Sequence, residues 1–445
     1  MIVSTRRRPL LAVMCVGMFL VQLDVTVVNV ALPQIGSSLG TGLAGQQWVV
    51  DGYAVVLAGL LLAGGTFGDR YGHKRVVLAG LGLFGAASLI CGAAPTVGVL
   101  VGGRALQGLG AALLLPGTLA VVTRAYPGRA EQAHAVGIWA GVSALALPAG
   151  PLLGGALVSG FGWRTVFLIN LPIIAIAIPA TRRLVTESVD ENPRPLDLPG
   201  IGLATCTLAA TVYAVIGASW IAAAVAAIAL TGFLLWERRA RDPLLPLAFL
   251  RTPSFVGANL VSAAMNLAGI GTVFVATLYL QTVRHHPAFV AGVLLLPLFV
   301  PLAALAPVTG RITGRHGPRL PITCGLVLGA AGSFALLGVT PDSGYPRLLP
   351  ALLGLGVGMG LLTAAVVASA VMSVPADRAG LAGGVNNTAR QAAGALAIAL
   401  YGAVAGTPAD ATGFTHGLHT LGLIGGFTWL AALGLTWLTI PGKPG

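Results

Sequence analysis

Two carboxylates and one guanidinium interrupt stretches that are otherwise apolar. Asp24 stands in "LDVTVVNVALP", within the uncharged run "LLAVMCVGMFLVQLDVTVVNVAL", Asp51 in "WVVDGY" and Arg104 in "RALQGLGAA". An ionised group inside a membrane span costs roughly 2.5–3.5 kcal/mol even on the mild insertion scale, so a chain that keeps one pairs it or uses it. At 1.5 Å per helical residue, Asp24 lies roughly 13 Å and Arg104 roughly 10 Å from the same side. Matched depth allows them to pair. Such a pair either serves proton coupling, with proton or substrate binding disturbing it, or is a permanent ionic tie between two segments. Asp51, roughly 5 Å inside the outer interface, is either a second proton or cation site or an acid that simply hydrates. Gln22, Thr26 and Asn29 recur at i, i+4 and i+7, a polar stripe nearly opposite Asp24 on the helical wheel. Stripe and acid cannot face one cavity. Either the stripe lines a pathway while Asp24 turns inward, or the reverse holds and the stripe ties helices together at about 0.6 kcal/mol per hydrogen bond. Gln107 joins the candidate lining residues. So do Asn386 and Arg390, which touch a substrate or merely cap a helix start.

The elements that must position these groups follow from composition. Of 445 residues, 56% are hydrophobic and 9% charged, against about 25% charged in soluble domains. That is an all-α polytopic membrane protein. Fourteen apolar segments are predicted, from 10–32 to 417–440, with the thirteenth at 383–405. The formal net charge of +12 does not imply nucleic acid, because the basic residues sit in short clusters between segments. With a cytoplasmic N-terminus, about 21 of 25 basic residues fall inside, Arg194 and Lys443 among them, as the positive-inside bias requires. The first segment follows "TRRRP" without a small-residue cleavage site, so it reads as a retained helix. Four cysteines at unrelated spacings imply neither disulfides nor a metal site. No nucleotide loop of the G-x-x-x-x-G-K-[ST] type, Ser-His-Asp set or zinc cluster occurs, so the expectation is neither an ATP-driven machine nor an enzyme, with no cofactor.

An internal repeat organises the segments. "GTFGDRYGHKR" from Gly65 and "GRITGRHGPR" from Gly310 are 245 residues apart, and "ALQGLG" from Ala105 and "ALLGLG" from Ala351 are 246 apart. The shared offset favours duplication. It divides the chain into a six-helix half at 1–183, a linker with two extra helices at 184–251, and a second six-helix half at 252–445. The halves are chemically unequal: Asp69 aligns with Gly314 and Arg104 with Pro350, and the second half keeps acids only in loops, at Asp342, Asp377 and Asp410.

Together these stretches resemble the major facilitator superfamily, specifically its fourteen-helix drug:proton antiporters. "LDVTVVNVALP" is similar to the family's first-helix motif, "WVVDGYAVVLAG" with "GTFGDRYGHKR" to its second helix and following loop, "RALQGLGAA" to its helix-4 motif, and "AGPLLGG" to its helix-5 antiporter motif. His73, Phe67 and Ala146 depart from the usual residues. The resemblance implies the major facilitator fold and proton-coupled efflux of hydrophobic drugs by alternating access, with protons as the coupling ion. Asp24, Arg104 and Asp51 would couple protons. Gly65, Asp69, Arg70, Gly72, Lys74, Arg75 and Arg124 would form an inner gate, with Asp69 latching the start of segment 13. Gly150, Pro151, Gly154 and Gly155 would form a close-packed seam limiting leak. The expected protein is a monomer in the cytoplasmic membrane with both termini inside, carrying neutral or monovalent hydrophobic compounds. Proton-coupled uptake of a metabolite and a transporter-like receptor remain the competing readings.

Overall fold

The computed structural model describes residues 2–189, 195–375 and 378–442; Arg194, Asp377 and Lys443 lie outside the described residues. Fourteen helical spans run in chain order: α1 (Ile2–Leu39), α2 (Leu43–Tyr71), α3 (His73–Gly92), α4 (Val97–Ala125), α5 (Arg129–Phe161), α6 (Thr165–Leu184), α7 (Leu198–Ile216), α8 (Trp220–Glu237), α9 (Pro253–Val283), α10 (Ala288–Leu294 continued by Leu296–His316), α11 (Arg319–Gly338), α12 (Tyr345–Met372), α13 (Ala379–Ala405) and α14 (Ala411–Thr439). Among the described residues there is no strand. Helices are the expected outcome, since apolar segments in hydrocarbon must satisfy their backbone groups internally. Thirteen of the helices, counting α10 by its longer piece, are long and apolar enough to cross a membrane. The exception is α13, which carries Asn386, Asn387, Thr388, Arg390 and Gln391 within one stretch.

Local chemistry sets the ends and breaks. Thr96, Asp197, Ser219 and Asp410 cap the starts of α4, α7, α8 and α14 with side-chain oxygens, satisfying backbone donors that the first turn leaves orphaned. A break at Leu295 divides α10 just before Pro297, whose ring removes a backbone donor and fits only the first turn of the resumed helix. Contrary to the expected end near residue 32, α1 continues through Pro33 to Leu39. Asp24 is therefore fifteen residues, about 22 Å, from the helix end, deeper than the roughly 13 Å expected. A tight turn with Ala218 at φ 45° separates α7 from α8 as two spans.

Packing repeats across the two sets of helices. In the first set α1 packs on α5, α2 on α4, and α3 on α4 and α6; in the second α9 packs on α13, α10 on α12, and α11 on α12 and α14. Each pair is the earlier one advanced by eight helices. Two left-handed glycines repeat as well: Gly72 (φ 97°) and Gly317 (φ 81°), 245 residues apart, turn the chain after α2 and α10. An added Cβ at Gly80 would lie 3.1 Å from Gly110 O in the α3–α4 contact, and one at Gly325 would lie 2.7 Å from Gly358 O in the α11–α12 contact. The sets meet along two seams, α2 against α13 and α5 against α10. The inserted α7 packs on both α2 and α13, with α8 outermost on α7.

Below, the terminal side is the one carrying the chain's two ends and the α2–α3 turn; the opposite one is the far side.

Candidate functional site

Asp24 and Arg104 meet, although α1 runs on past its expected end and the two helices no longer give them equal depths. Arg104 Nη1 donates to Asp24 Oδ2 and, at 2.8 Å, to Gln107 Oε1, while Arg104 Nε donates to the Val49 carbonyl at 2.9 Å. Gln107 Nε2 reaches Asp24 Oδ1 at 3.5 Å and Ser88 Oγ at 2.9 Å, and Asn170 Nδ2 donates to the same hydroxyl at 3.2 Å. The guanidinium lies 4.4 Å from the Tyr53 ring centroid, a cation–π distance. Asp24, Arg104, Gln107 and Ser88 are each 0% exposed. The network thus ties α1, α2, α3, α4 and α6 into one dry polar core. Breaking a buried pair strands a charge at about 3–5 kcal/mol, so this geometry resists separation. Gln107, expected on a cavity wall, belongs to the sealed network instead.

Asp51 is wholly buried, and neither carboxyl oxygen makes a hydrogen bond. Its place follows from its neighbours on α2. Gln47, one turn before it, donates to the α13 carbonyls of Ile398 and Ala399 at 2.8 and 2.9 Å. Val55, one turn after it, clusters with Ala395, Ala399 and Val212. Residues four apart share a helix face, so Asp51 stands on the α2 face that meets α13 and α7. It is no interfacial acid: α2 begins at Leu43, which puts Asp51 eight residues, about 12 Å, along the helix.

The polar stripe of α1 divides. Thr26 Oγ1 bonds to Leu23 O at 3.2 Å and Asn29 Nδ2 to Val25 O at 2.9 Å, both side chains buried, whereas Gln22 keeps partial exposure. Thr26 is turned into the α1–α5 contact, where an added Cβ at Gly150 would fall 1.8 Å from its hydroxyl, and one at Gly154 would fall 2.9 Å from the Val27 carbonyl. Thr26 and Asn29 therefore serve helix packing rather than an open cavity. Gly155 and Pro151 meet α10: an added Cβ at Gly155 would lie 2.8 Å from Ala288 O, and one at Gly292 would lie 2.1 Å from Pro151 O. Toward the terminal side α1 and α5 splay apart around a cleft of about 800 Å³ lined by Ala12, Phe19, Ile138 and Val142, with Arg8 and His134 at its margin. Ala12, Val16, Phe19 and Gln22 lie on one line of α1.

On the terminal side Asp69 Oδ1 forms an ion pair with Arg124 at 3.7 Å and lies 3.3 Å from His73 Nε2. Gly65 is partly buried, and Arg70 is exposed, its guanidinium 5.7 Å from the Tyr71 ring centroid. A partner that sequence reasoning missed completes the turn. Glu187, beyond α6, accepts from Lys74 N at 3.1 Å and lies 3.6 Å from Arg75 Nε, while Lys74 Nζ donates to Arg182 O at 2.8 Å. An added Cβ at Gly72 would sit 2.3 Å from Glu187 Oε1, so glycine is required here for closeness as well as for its φ.

Residues 14–398 match the Major Facilitator Superfamily. The chain belongs to that superfamily. It is a multi-pass membrane transporter and not an enzyme. The chain is 36% identical over 425 residues to the methylenomycin A resistance protein of Streptomyces coelicolor, covering 93% of this chain and 88% of that one. It is 35% identical over 400 residues to the multidrug resistance protein Stp of Mycobacterium tuberculosis, covering 87% and 74%. The facilitator fold is seen equally in a solved peptide transporter POT in complex with sulfate, at TM-score 0.70, 17% identity and coverage of 97% and 96%.

Within this facilitator, α13 holds the remaining sequence candidates. Asn386 is buried, its Nδ2 reaching Ser262 Oγ at 2.9 Å and Asn259 Oδ1 at 3.3 Å on α9. Arg390 is partly exposed, and its carbonyl accepts from Asn266 Nδ2 at 2.9 Å. Asn259, Ser262 and Asn266 were not anticipated, though their i, i+3, i+7 spacing on α9 is a polar stripe of the kind noticed on α1.

Proposed function

We propose that the protein exports hydrophobic drug-like compounds across the cytoplasmic membrane in exchange for protons, by alternating access, with both termini cytoplasmic. Resistance is what two relatives' names carry, multidrug resistance and methylenomycin A resistance, and export or efflux is named for two more, the tetracenomycin C resistance and export protein and the drug efflux pump JefA. The observation that carries proton exchange is Asp51. Sealing an ionised carboxylate without any partner is costly enough that such a group neutralises instead, so the packed α2–α13 seam suits an Asp51 that holds a proton. When the halves rock and the seam opens on the far side, water reaches the carboxyl and the proton exchanges. Return to the packed state then needs a proton again, and that requirement couples the cycle to the gradient. Asp24 and Arg104 supply the fixed ionic core around which the first half moves as a body. On the terminal side Asp69 and Arg124, with the Gly72 turn, act as the latch. The clustering of basic residues on the terminal side supports its cytoplasmic placement.

The test is drug-driven proton movement in proteoliposomes. Wild-type protein should release protons when methylenomycin A or tetracenomycin C is added to the binding side. Asp51→Asn should keep downhill drug exchange but lose gradient-driven accumulation by at least about tenfold, a difference of about 1.4 kcal/mol. Accumulation that is unchanged in Asp51→Asn, or insensitive to an uncoupler in the wild type, would rule the proton reading out.

A further inference from the structure

We infer that Arg390 is the recognition point for a negative charge on the transported compound, so that the favoured substrates are hydrophobic monoanions such as carboxylic acids. This rests on the export reading above and names the charge class of its substrate. Arg390 lies eleven residues into α13, about 16 Å from the terminal end of the helix. Unlike Arg104, which is 0% exposed and neutralised by Asp24, it keeps partial exposure and forms no ion pair among the described residues. Its own half offers no embedded partner. The acids after residue 252 are Asp342 and Asp410, both at the far side beyond helix ends, and Asp377, thirteen residues earlier in sequence. Asp51, the embedded acid on adjoining α2, makes no ion pair with it either.

The surroundings are built rather than incidental. Asn386 and the Arg390 carbonyl are pinned to α9 by side-chain hydrogen bonds, so this stretch of α13 is held in place. Yet Arg390 Nε and Asn386 Oδ1, one helical turn apart on the same face of α13, are buried without a partner. Native interiors leave few such atoms. A guanidinium offers a planar fork that a carboxylate fills with two charge-assisted bonds. A neutral compound leaves the charge uncompensated, and a cation is repelled.

A matched probe series separates the outcomes: pyrenebutyrate, pyrenebutanol and pyrenebutylammonium, which share one apolar body, bound to full-length protein in nanodiscs and corrected with empty discs. Wild-type protein should bind pyrenebutyrate at least about tenfold more tightly than the alcohol, with the ammonium weakest. Arg390→Gln should remove that preference while still binding the alcohol at least as well as wild type, which also reports that the variant is folded, and Arg390→Lys should retain part of it. Equal binding of all three, binding of none, or a preference that survives Arg390→Gln overturns the inference. The same probes in proteoliposomes keep the two readings apart. Anion-selective binding without gradient-driven movement would refute export and leave the anion site standing, whereas gradient-driven movement without charge preference would do the opposite.

Discussion

Arg104 in the first half donates to Asp24 and Gln107, lies against Tyr53 and has no exposure at all. The position that aligns with it in the second half is Pro350, and the embedded cation there, Arg390, stands on a different helix without a carboxylate. Backbone packing repeats between the halves, helix pair for helix pair, but the charges do not. The close glycine contacts of α3–α4 recur in α11–α12, whereas the polar side chains of the two sets of helices differ. One half uses charge to hold itself together; the other leaves its cation open.

The largest effect should come from attacking that contrast directly. Arg104→Gln strands Asp24 in a dry core and should cost about 3–5 kcal/mol, read as loss of membrane-inserted protein or a sharply lower thermal midpoint in detergent. Arg390→Gln should leave the same midpoint nearly unmoved. If both substitutions destabilise equally, the division into a structural and an open cation is wrong. Next in size is Gly150→Val, whose Cβ would meet Thr26 at 1.8 Å. Prying α1 from α5 should cost about 1–3 kcal/mol, and unchanged stability would mean the seam is looser than drawn.

A smaller change probes the junction of the halves. Gln47→Leu removes two hydrogen bonds from α2 to α13, and at about 0.5–1.5 kcal/mol each the far side should open more often. Spin labels at Thr41 and Thr407 should report a longer distance population in the variant. A distribution identical to wild type would remove Gln47 from the gate. Smallest is Glu187→Gln, since its partner Arg75 is 76% exposed and exposed pairs contribute about 0–1 kcal/mol. Stability should barely move, and a large loss would mean the Gly72 turn depends on the charge itself.

Much of this was legible in the sequence, for identifiable reasons. Thirteen of the spans follow from hydropathy, because hydrocarbon leaves the backbone no other choice, while α13 carries a polar stretch that hydropathy alone would not place in a membrane. The Asp24–Arg104 pair follows from opposite charges embedded in two apolar segments, since each is costly there without a partner; the matched depth does not hold, because α1 continues to Leu39. What the sequence left ambiguous was direction around each helix axis. Gln22, Thr26 and Asn29 share a stripe, yet only Gln22 keeps exposure, because Gly150 draws α5 onto Thr26. Asp51 reads as interfacial until α2 is seen to start at Leu43 and to carry its Gln47–Asp51–Val55 face against α13. Glu187 gave no signal, since a loop glutamate reaching a turn more than a hundred residues away has no periodicity to betray it.

The inserted helix α7 bears on how that acid is kept dry. It straddles the α2–α13 seam, with Val212 among Val55, Ala395 and Ala399, and Tyr213 tilted against Trp48 of α2 with ring centroids 5.9 Å apart. Helix α8 backs it, turning Trp220, Ile221 and Ile228 outward, all more than 70% exposed. In the proposed cycle the seam would flex beneath α7 as the halves rock, with α7 a gasket between Asp51 and the lipid tails. Acyl chains would then be kept out of the gap, and water would enter along the seam from its far end. On that reading the additional pair of helices makes the carboxyl's access one-sided, and one-sidedness is what would turn a buried acid into a valve.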